Sequence, residues 1–316
     1  MPTLADVQDA AARIDAHAHV TPLLRSRSLD ALAGAQLFFK CEHLQRAGAF
    51  KFRGACNAVW SLDADAAARG VVTHSSGNHG AALALAAHTR GIAAHVVVPA
   101  GAVKSKLAAI ERYGAQLHPC APTMAARDAA AAALQARTGA TLVHPFTDPQ
   151  VIAGQGTAAL ELLQQSGGVD ALVVPVGGGG LVGGCAIAAH GLDPRIAVFA
   201  AEPEGAPDAY ESLRRGVRWT EFTPNTLADG LRGTIGEINF ALLQEHDVQV
   251  LPVSEAEIVA AMRRVWEHLK QVIEPSSATV LAAVLRHRQR FAGRRVGLVL
   301  SGGNVDLDAL PFAAGR

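Results

Sequence analysis

Val71-Val-Thr-His-Ser-Ser-Gly-Asn-His79, continued by the alanine-rich Gly80 to Thr89 and closed by His95-Val-Val-Val98, decides the architecture. The apolar run at 71–73 reads as a strand, Asn78 to Thr89 has the length and composition of a helix, and 95–98 reads as a second buried strand. A strand, a helix and a strand at that spacing form a right-handed crossover, the building unit of a parallel sheet. Downstream the alternation continues with a helix at 102–113, a strand at 116–118, an alanine-rich helix at 122–136 and a strand at 141–143. Pro145-Phe-Thr-Asp-Pro149 breaks the rhythm and is expected to return the chain to an earlier lobe. A second series follows: a helix at 150–164, a strand at 171–174, a helix after Leu181 and a strand at 197–201. Residues 204–247, where Pro, Gly and Asp recur, are read as a long surface excursion. Helices near 255–270 and 276–288 then precede a last strand at 296–300. Upstream, Thr3 and Asp6 have capping-box spacing, with Leu4, Val7, Ala11 and Ile14 on one helical face. Residues 37–41 read as a short strand. The expected fold is α/β, with two lobes that each hold a mainly parallel sheet wrapped by helices. Residues 70–147 would form the smaller domain, and 1–69 with 148–316 the larger.

Half of the 316 residues are hydrophobic, enough for a large core, and 28 basic residues balance 28 acidic ones. That balance argues against a nucleic-acid or membrane-surface partner and for small-molecule work. Cys41, Cys56, Cys120 and Cys185 lack Cys-x-x-Cys spacing, so reduced thiols in a cytoplasmic protein are expected. No basic segment leads into an apolar one near Met1, so a secretory signal is not expected. Residues 171–189 carry no charge, but Pro175 and six glycines interrupt them, which suits strand, turn and helix better than a membrane span.

Three glycine turns and one lysine are the candidate chemistry. Lys51 lies between two phenylalanines in Ala47-Gly-Ala-Phe-Lys-Phe-Arg-Gly54, where a helix begins. Desolvation there would favour the neutral amine, the reactive form of a Schiff-base lysine, although a snorkelling surface lysine has the same local sequence. Gly177, Gly178, Gly179 and Gly180 follow a strand and precede a helix, where free backbone amides can hold a phosphate; close helix-on-strand packing is the plainer reading. Ser75-Ser76-Gly77-Asn78-His79 offers hydroxyls, an amide and free N–H groups suited to a carboxylate. Ser301-Gly-Gly-Asn304 by itself reads as a turn.

Taken with Gly154-Gln-Gly-Thr157, Ala201-Glu-Pro203 and Ile273-Glu-Pro275, these motifs occur in the order seen in fold-type-II pyridoxal-phosphate enzymes. From Thr21 to Leu307 the chain resembles the serine racemase and serine/threonine dehydratase family, whose fold is like that of the tryptophan synthase β chain. The resemblance implies that Lys51 forms the Schiff base with pyridoxal 5'-phosphate, that Phe50 packs against the ring and that Gly177 to Gly180 cradle the phosphate. Asn78 would meet the phenolic oxygen, and Ser301 the pyridine nitrogen. A neutral hydroxyl there does not keep that nitrogen protonated, which suits fast expulsion of a β-substituent.

The same resemblance implies a substrate carboxylate on Ser75 to His79, a homodimer, and a divalent cation, Mg²⁺ or else Mn²⁺ or Ca²⁺, held by Glu202, the Ala206 carbonyl and Asp208. The expected reaction is dehydration and deamination of L-threonine or L-serine to a 2-oxo acid and ammonia. Lys51 would take the Cα proton, and the cofactor phosphate would protonate the departing hydroxyl. Ser76, expected on the face opposite the lysine, keeps serine racemisation as the alternative, whereas Phe146 in His-Pro-Phe has the dehydratase form. A further alternative is an acidic substrate such as 3-hydroxyaspartate, whose second carboxylate needs a cation, with Arg127 and Arg232 as candidates. A non-catalytic binding protein with the same turns would have no use for Lys51.

Overall fold

The computed structural model describes residues 1–102 and 104–312. Helix α1 (Leu4–Ile14) starts on the Thr3–Asp6 capping box and turns Val7, Ala10 and Ile14 inward. Strand β1 (Leu23–Leu24), α2 (Arg27–Ala33) and β2 (Gln36–Lys40) lead to α3 (Lys51–Trp60) and a short α4 (Ala64–Arg69). Strict alternation follows through β3 (Val71–His74), α5 (Asn78–Arg90), β4 (Ala94–Pro99), α6 (Lys104–Arg112), β5 (Gln116–Cys120), α7 (Met124–Thr138) and β6 (Thr141–Leu142). These strands form a four-stranded parallel sheet in the order β5-β4-β3-β6. Of the helix expected at 102–113, Val103 lies outside the described residues.

Helix α8 (Pro149–Ser166), opened by Asp148 as N-cap with a proline in its first turn, carries the chain back. Then come β7 (Ala171–Pro175), α9 (Gly180–Leu192), β8 (Ala197–Pro203), α10 (Asp208–Arg215), α11 (Glu237–Glu245), β9 (Gln249–Val253), α12 (Glu255–Leu269), α13 (Pro275–Arg286), α14 (Arg288–Phe291) and β10 (Arg295–Val299). The second sheet is six-stranded, β1-β2-β10-β7-β8-β9, and parallel except for β1.

Both faces of this sheet are covered, and its central strand β7 is apolar and buried along its whole length. Leu37, Phe39, Val173 and Leu298 pack towards α12 and α13, while Phe38, Leu172, Val174 and Val299 pack towards α8 and α9. Helices α2 and α4 are additions to the expected elements, and two further differences bear on the second sheet. The stretch 204–247 contains α10 and α11 with buried residues, and only part of it is surface. Strand β9 follows it unanticipated, because Pro252 and exposed Gln249 hide its pattern; it occupies the sheet edge, where a proline is tolerated.

Glycines bring the helices behind the site together. A Cβ on Gly54 of α3 would lie 2.6 Å from the Val151 carbonyl oxygen, and one on Gly184 of α9 would lie 2.2 Å from that of Ile152. Only a hydrogen atom fits at either crossing. No helix among the described residues is long and apolar enough to cross a membrane.

Candidate active site

In an open parallel sheet the loops after the strand C-terminal ends form the ligand crevice. Here the loops after β3, β7 and β10 gather around the first residue of α3, Lys51. The Phe50 amide donates to the Ser301 carbonyl at 2.9 Å, and Ala49 bridges Gly302. The lysine Nζ donates to the Pro145 carbonyl oxygen at 2.7 Å and lies 5.1 Å from the Phe50 ring centre. It has no carboxylate partner among the described residues, and desolvation lowers its pKa to about 8. The lysine is half-buried, so solvent reaches it through the cleft while protein surrounds it on the remaining sides.

Two residues further along α3, buried Arg53 makes paired bonds to Glu42 (Nε to Oε2, 2.7 Å) and Glu161 (Nη1 to Oε1, 2.7 Å), and Lys40 joins Glu161. Removing one partner from such a cluster would strand a buried charge, so the turn that carries Lys51 is firmly held.

Gly77 caps α5 without any side-chain bond, which leaves first-turn amides for a ligand carboxylate. Ser75 and Ser76 are half-buried beside them. Asn78 donates to both Glu274 oxygens at 3.0 and 3.1 Å and accepts from Asn304 at 3.0 Å. The His79 ring is fully enclosed, with Nε2 3.3 Å from the Val143 carbonyl oxygen, so in the first turn it is the backbone amide of His79 that stays available.

Helix α9 also lacks a side-chain cap, and its N-cap Gly179 sits at φ +89°, a conformation that favours glycine. A Cβ on Gly178 would lie 2.3 Å from Phe146 Cγ, and one on Gly180 would lie 2.8 Å from the Phe146 carbonyl oxygen. Phe146 therefore lies directly on this loop. Asn239 bonds both partners, donating to the Gly178 carbonyl at 2.6 Å and to that of Phe146 at 2.8 Å. Buried Ser301 has its Oγ 3.1 Å from Ser277 Oγ, which accepts from the Gly302 amide at 2.6 Å.

The Phe146 ring meets His144 edge-on at 4.6 Å, and His144 meets His74 at 5.1 Å. Arg127 acts on His74 electrostatically; its Nε is buried without a hydrogen-bond partner, and it makes no ion pair among the described residues. Arg232, by contrast, is committed to the Thr226 carbonyl through Nε and Nη2.

Away from the cleft, Glu202 accepts from the Ala209 and Tyr210 amides, and Asp208 Oδ2 accepts from the Ile235 amide at 2.6 Å. Asp208 Oδ1 is buried without a partner, and Ala206 is fully buried nearby in sequence. Burial raises the Asp208 pKa to about 7; burial, reinforced by the Asp208 charge, pushes Glu202 well above the usual carboxylate range. No group of three or more His, Cys, Asp or Glu that could hold a metal exists among the described residues.

Pro145, His144, Asn239, Ser277 and Glu274 were not singled out from sequence. His144 and Pro145 lie in His-Pro-Phe, whose sequence reading concerns Phe146, and Glu274 lies in Ile273-Glu-Pro275, whose reading is its place in the motif order; Asn239 and Ser277 lie outside both.

Residues 14–302 match the family model described as pyridoxal-phosphate dependent enzyme. The chain is 47% identical over 312 residues to a beta-hydroxyaspartate dehydratase of Paracoccus denitrificans (strain Pd 1222), with 99% of each chain covered. The crystal structure of serine racemase from Dictyostelium discoideum superposes with a TM-score of 0.93 at 49% identity, covering 97% of this chain and 99% of that one. That of a T.th. threonine deaminase gives 0.91 at 44% identity, covering 96% and 99%. The chain belongs to the pyridoxal-phosphate-dependent enzymes of fold type II, within the group that holds the serine racemases and threonine deaminases.

Proposed function

We propose that this chain expels the β-hydroxyl of a β-hydroxy amino acid, L-threonine or L-serine, and so releases a 2-oxo acid and ammonia. The observation that carries the reading is Lys51: a half-buried amine with no acidic partner among the described residues, at the mouth of two helices whose first-turn amides are uncapped. The residues present fit pyridoxal 5'-phosphate. Gly177 to Gly180 supply an anion cradle that side chains would fill, Phe50 an apolar wall, Asn78 an amide, and Ser301 a hydroxyl in place of a carboxylate. Bound there, the cofactor would delocalise the negative charge that develops at the substrate Cα.

The rest is work for the chain's own residues. Lys51 Nζ, held below the ordinary lysine range, takes the Cα proton as a base. The Ser75 to His79 turn holds the α-carboxylate through uncapped amides and two hydroxyls, which fixes the Cα–H bond towards the lysine. Phe146, pressed on the glycine loop, keeps water from the reacting carbon. The released enamine tautomerises and hydrolyses in solution.

Two specific observations favour second readings. Arg127, with no ion pair among the described residues, suits a substrate with a second carboxylate such as 3-hydroxyaspartate, the acid in the name of the Paracoccus relative. Ser76, half-buried in the carboxylate turn, is the candidate second base for inversion at Cα. The partnerless Asp208 Oδ1 fits a hard divalent cation held by Asp208, Glu202 and the Ala206 carbonyl. On this reading the working form is a homodimer acting on free amino acids, with no nucleic-acid or membrane partner.

The test is a panel of L-serine, L-threonine and 3-hydroxyaspartate, assayed for 2-oxo acid and for inversion, with and without Mg²⁺. Dominant 2-oxo acid release supports elimination, and dominant inversion overturns it. An Arg127→Met variant that loses only hydroxyaspartate turnover would assign the acidic substrate.

A further inference from the structure

The geometry points to His144 as the positioning residue that holds the catalytic lysine and the glycine loop in register, acting as a hydrogen-bond acceptor through Nδ1 and not as an acid or base. This assignment rests on reading Lys51 and Gly177 to Gly180 as the cofactor site. His144 opens the turn between β6 and α8, and its Nδ1 accepts the backbone amides of Phe146 at 3.4 Å and Thr147 at 3.1 Å. An imidazole nitrogen that accepts two amides carries no proton, so the proton resides on Nε2. Among the described residues Nε2 has no hydrogen-bond partner.

The turn fixed in this way touches both halves of the site. The Pro145 carbonyl oxygen receives the Lys51 Nζ at 2.7 Å. The Phe146 ring lies where a Gly178 side chain would be, and its carbonyl shares Asn239 with that of Gly178. Thr147 Cγ2 lies 2.4 Å from where a Cβ on Gly236 would be, so the turn is wedged on its far side as well. If Nδ1 let go of the two amides, the turn could rotate, and the amine and the anion cradle would lose their shared reference. Burial and the neighbouring His74 and Lys51 charges hold the ring pKa at about 4, so the acceptor lone pair is free at neutral pH.

Isosteric variants separate acceptor from acid. Asn places Oδ1 as many bonds from Cα as Nδ1 is, whereas Gln places Oε1 where Nε2 would be, and Leu offers neither. Two quantities are measured on the holoprotein: the rate at which visible cofactor absorbance is lost on dialysis, and kcat and KM for the best substrate of the panel. His144→Asn is expected within about threefold of wild type on both. His144→Gln and His144→Leu should lose cofactor about tenfold faster or more, with kcat falling further than KM rises, the scale expected for amides left without an acceptor. His144→Asn falling as far as His144→Leu overturns the assignment, as does His144→Gln outperforming His144→Asn, which would put the function on Nε2. Wild-type behaviour of all three also overturns it. Because cofactor retention is read independently of turnover, the positioning role survives if the panel shows racemisation in place of elimination.

Discussion

Lys51→Met should make the cofactor-free protein more stable while destroying the enzyme. A lysine whose pKa falls from 10.5 to about 8 on folding costs the folded state about 3 kcal/mol at pH 7, at roughly 1.4 kcal/mol per unit. Methionine keeps the apolar stem and removes the charge, but leaves the Pro145 carbonyl without its donor, a loss of about 1–2 kcal/mol. The expected net gain at pH 7 is about 1–2 kcal/mol by this arithmetic. The sign of the pH dependence is the sharper test. Between pH 8 and 10.5 the unfolded wild type still binds a proton that the folded form has released, so wild-type stability rises through that window and the variant's does not. Urea midpoints of both cofactor-free proteins at pH 7 and pH 10 would show it: the variant leads at pH 7, and a change of about 2–3 kcal/mol in favour of the wild type by pH 10 closes or reverses that lead. A gap unchanged between the two pH values would mean that the lysine is not desolvated, and the reasoning about its reactivity would fail with it.

Gly184→Ala should destabilise the protein by about 1–3 kcal/mol in urea unfolding, because its Cβ meets the Ile152 carbonyl oxygen at 2.2 Å and backbone must move; an unchanged midpoint would refute the close crossing. Mg²⁺ should raise the melting temperature and a chelator lower it, with no response in Asp208→Asn. As Asp208 titrates at about 7, the Mg²⁺ effect should fade as pH falls below that value, and a response that grew on acidification would be incompatible with carboxylate ligands. The wild type should lose up to about 3 kcal/mol of stability to His144 alone between pH 6.5 and pH 4, since the unfolded ring takes up its proton first and the folded ring resists until about 4. His144→Asn should remove that slope in an acid-unfolding series.

The small sheet was legible because β3, α5 and β4 are ordinary in length and their strands are apolar on both faces, so period and punctuation agree. Helices α2 and α4 were not, since seven and six residues give too few turns for a period to emerge. Strand β9 was hidden by a proline that its edge position allows. In the site, the glycine turns and Lys51 could be read because each is a local conformational requirement. The groups that fix them act at long range. Asn239 reaches Phe146 across 93 residues and Gly178 across 61, and Arg53 finds Glu161 across 108. His144 is the instructive case: its partners are only two and three residues away, yet its importance comes from what the turn touches, which no local pattern encodes.

The central claim is that one amine, that of Lys51, bonds the cofactor. Borohydride reduction of the purified holoprotein, followed by digestion and mass spectrometry, would fix the cofactor wherever it is attached among the lysines at 40, 51, 104, 106 and 270. The pyridoxyl group is expected on the peptide containing Lys51 and on no other. Its appearance on a different lysine, or a protein that takes up no label at all, would contradict the account.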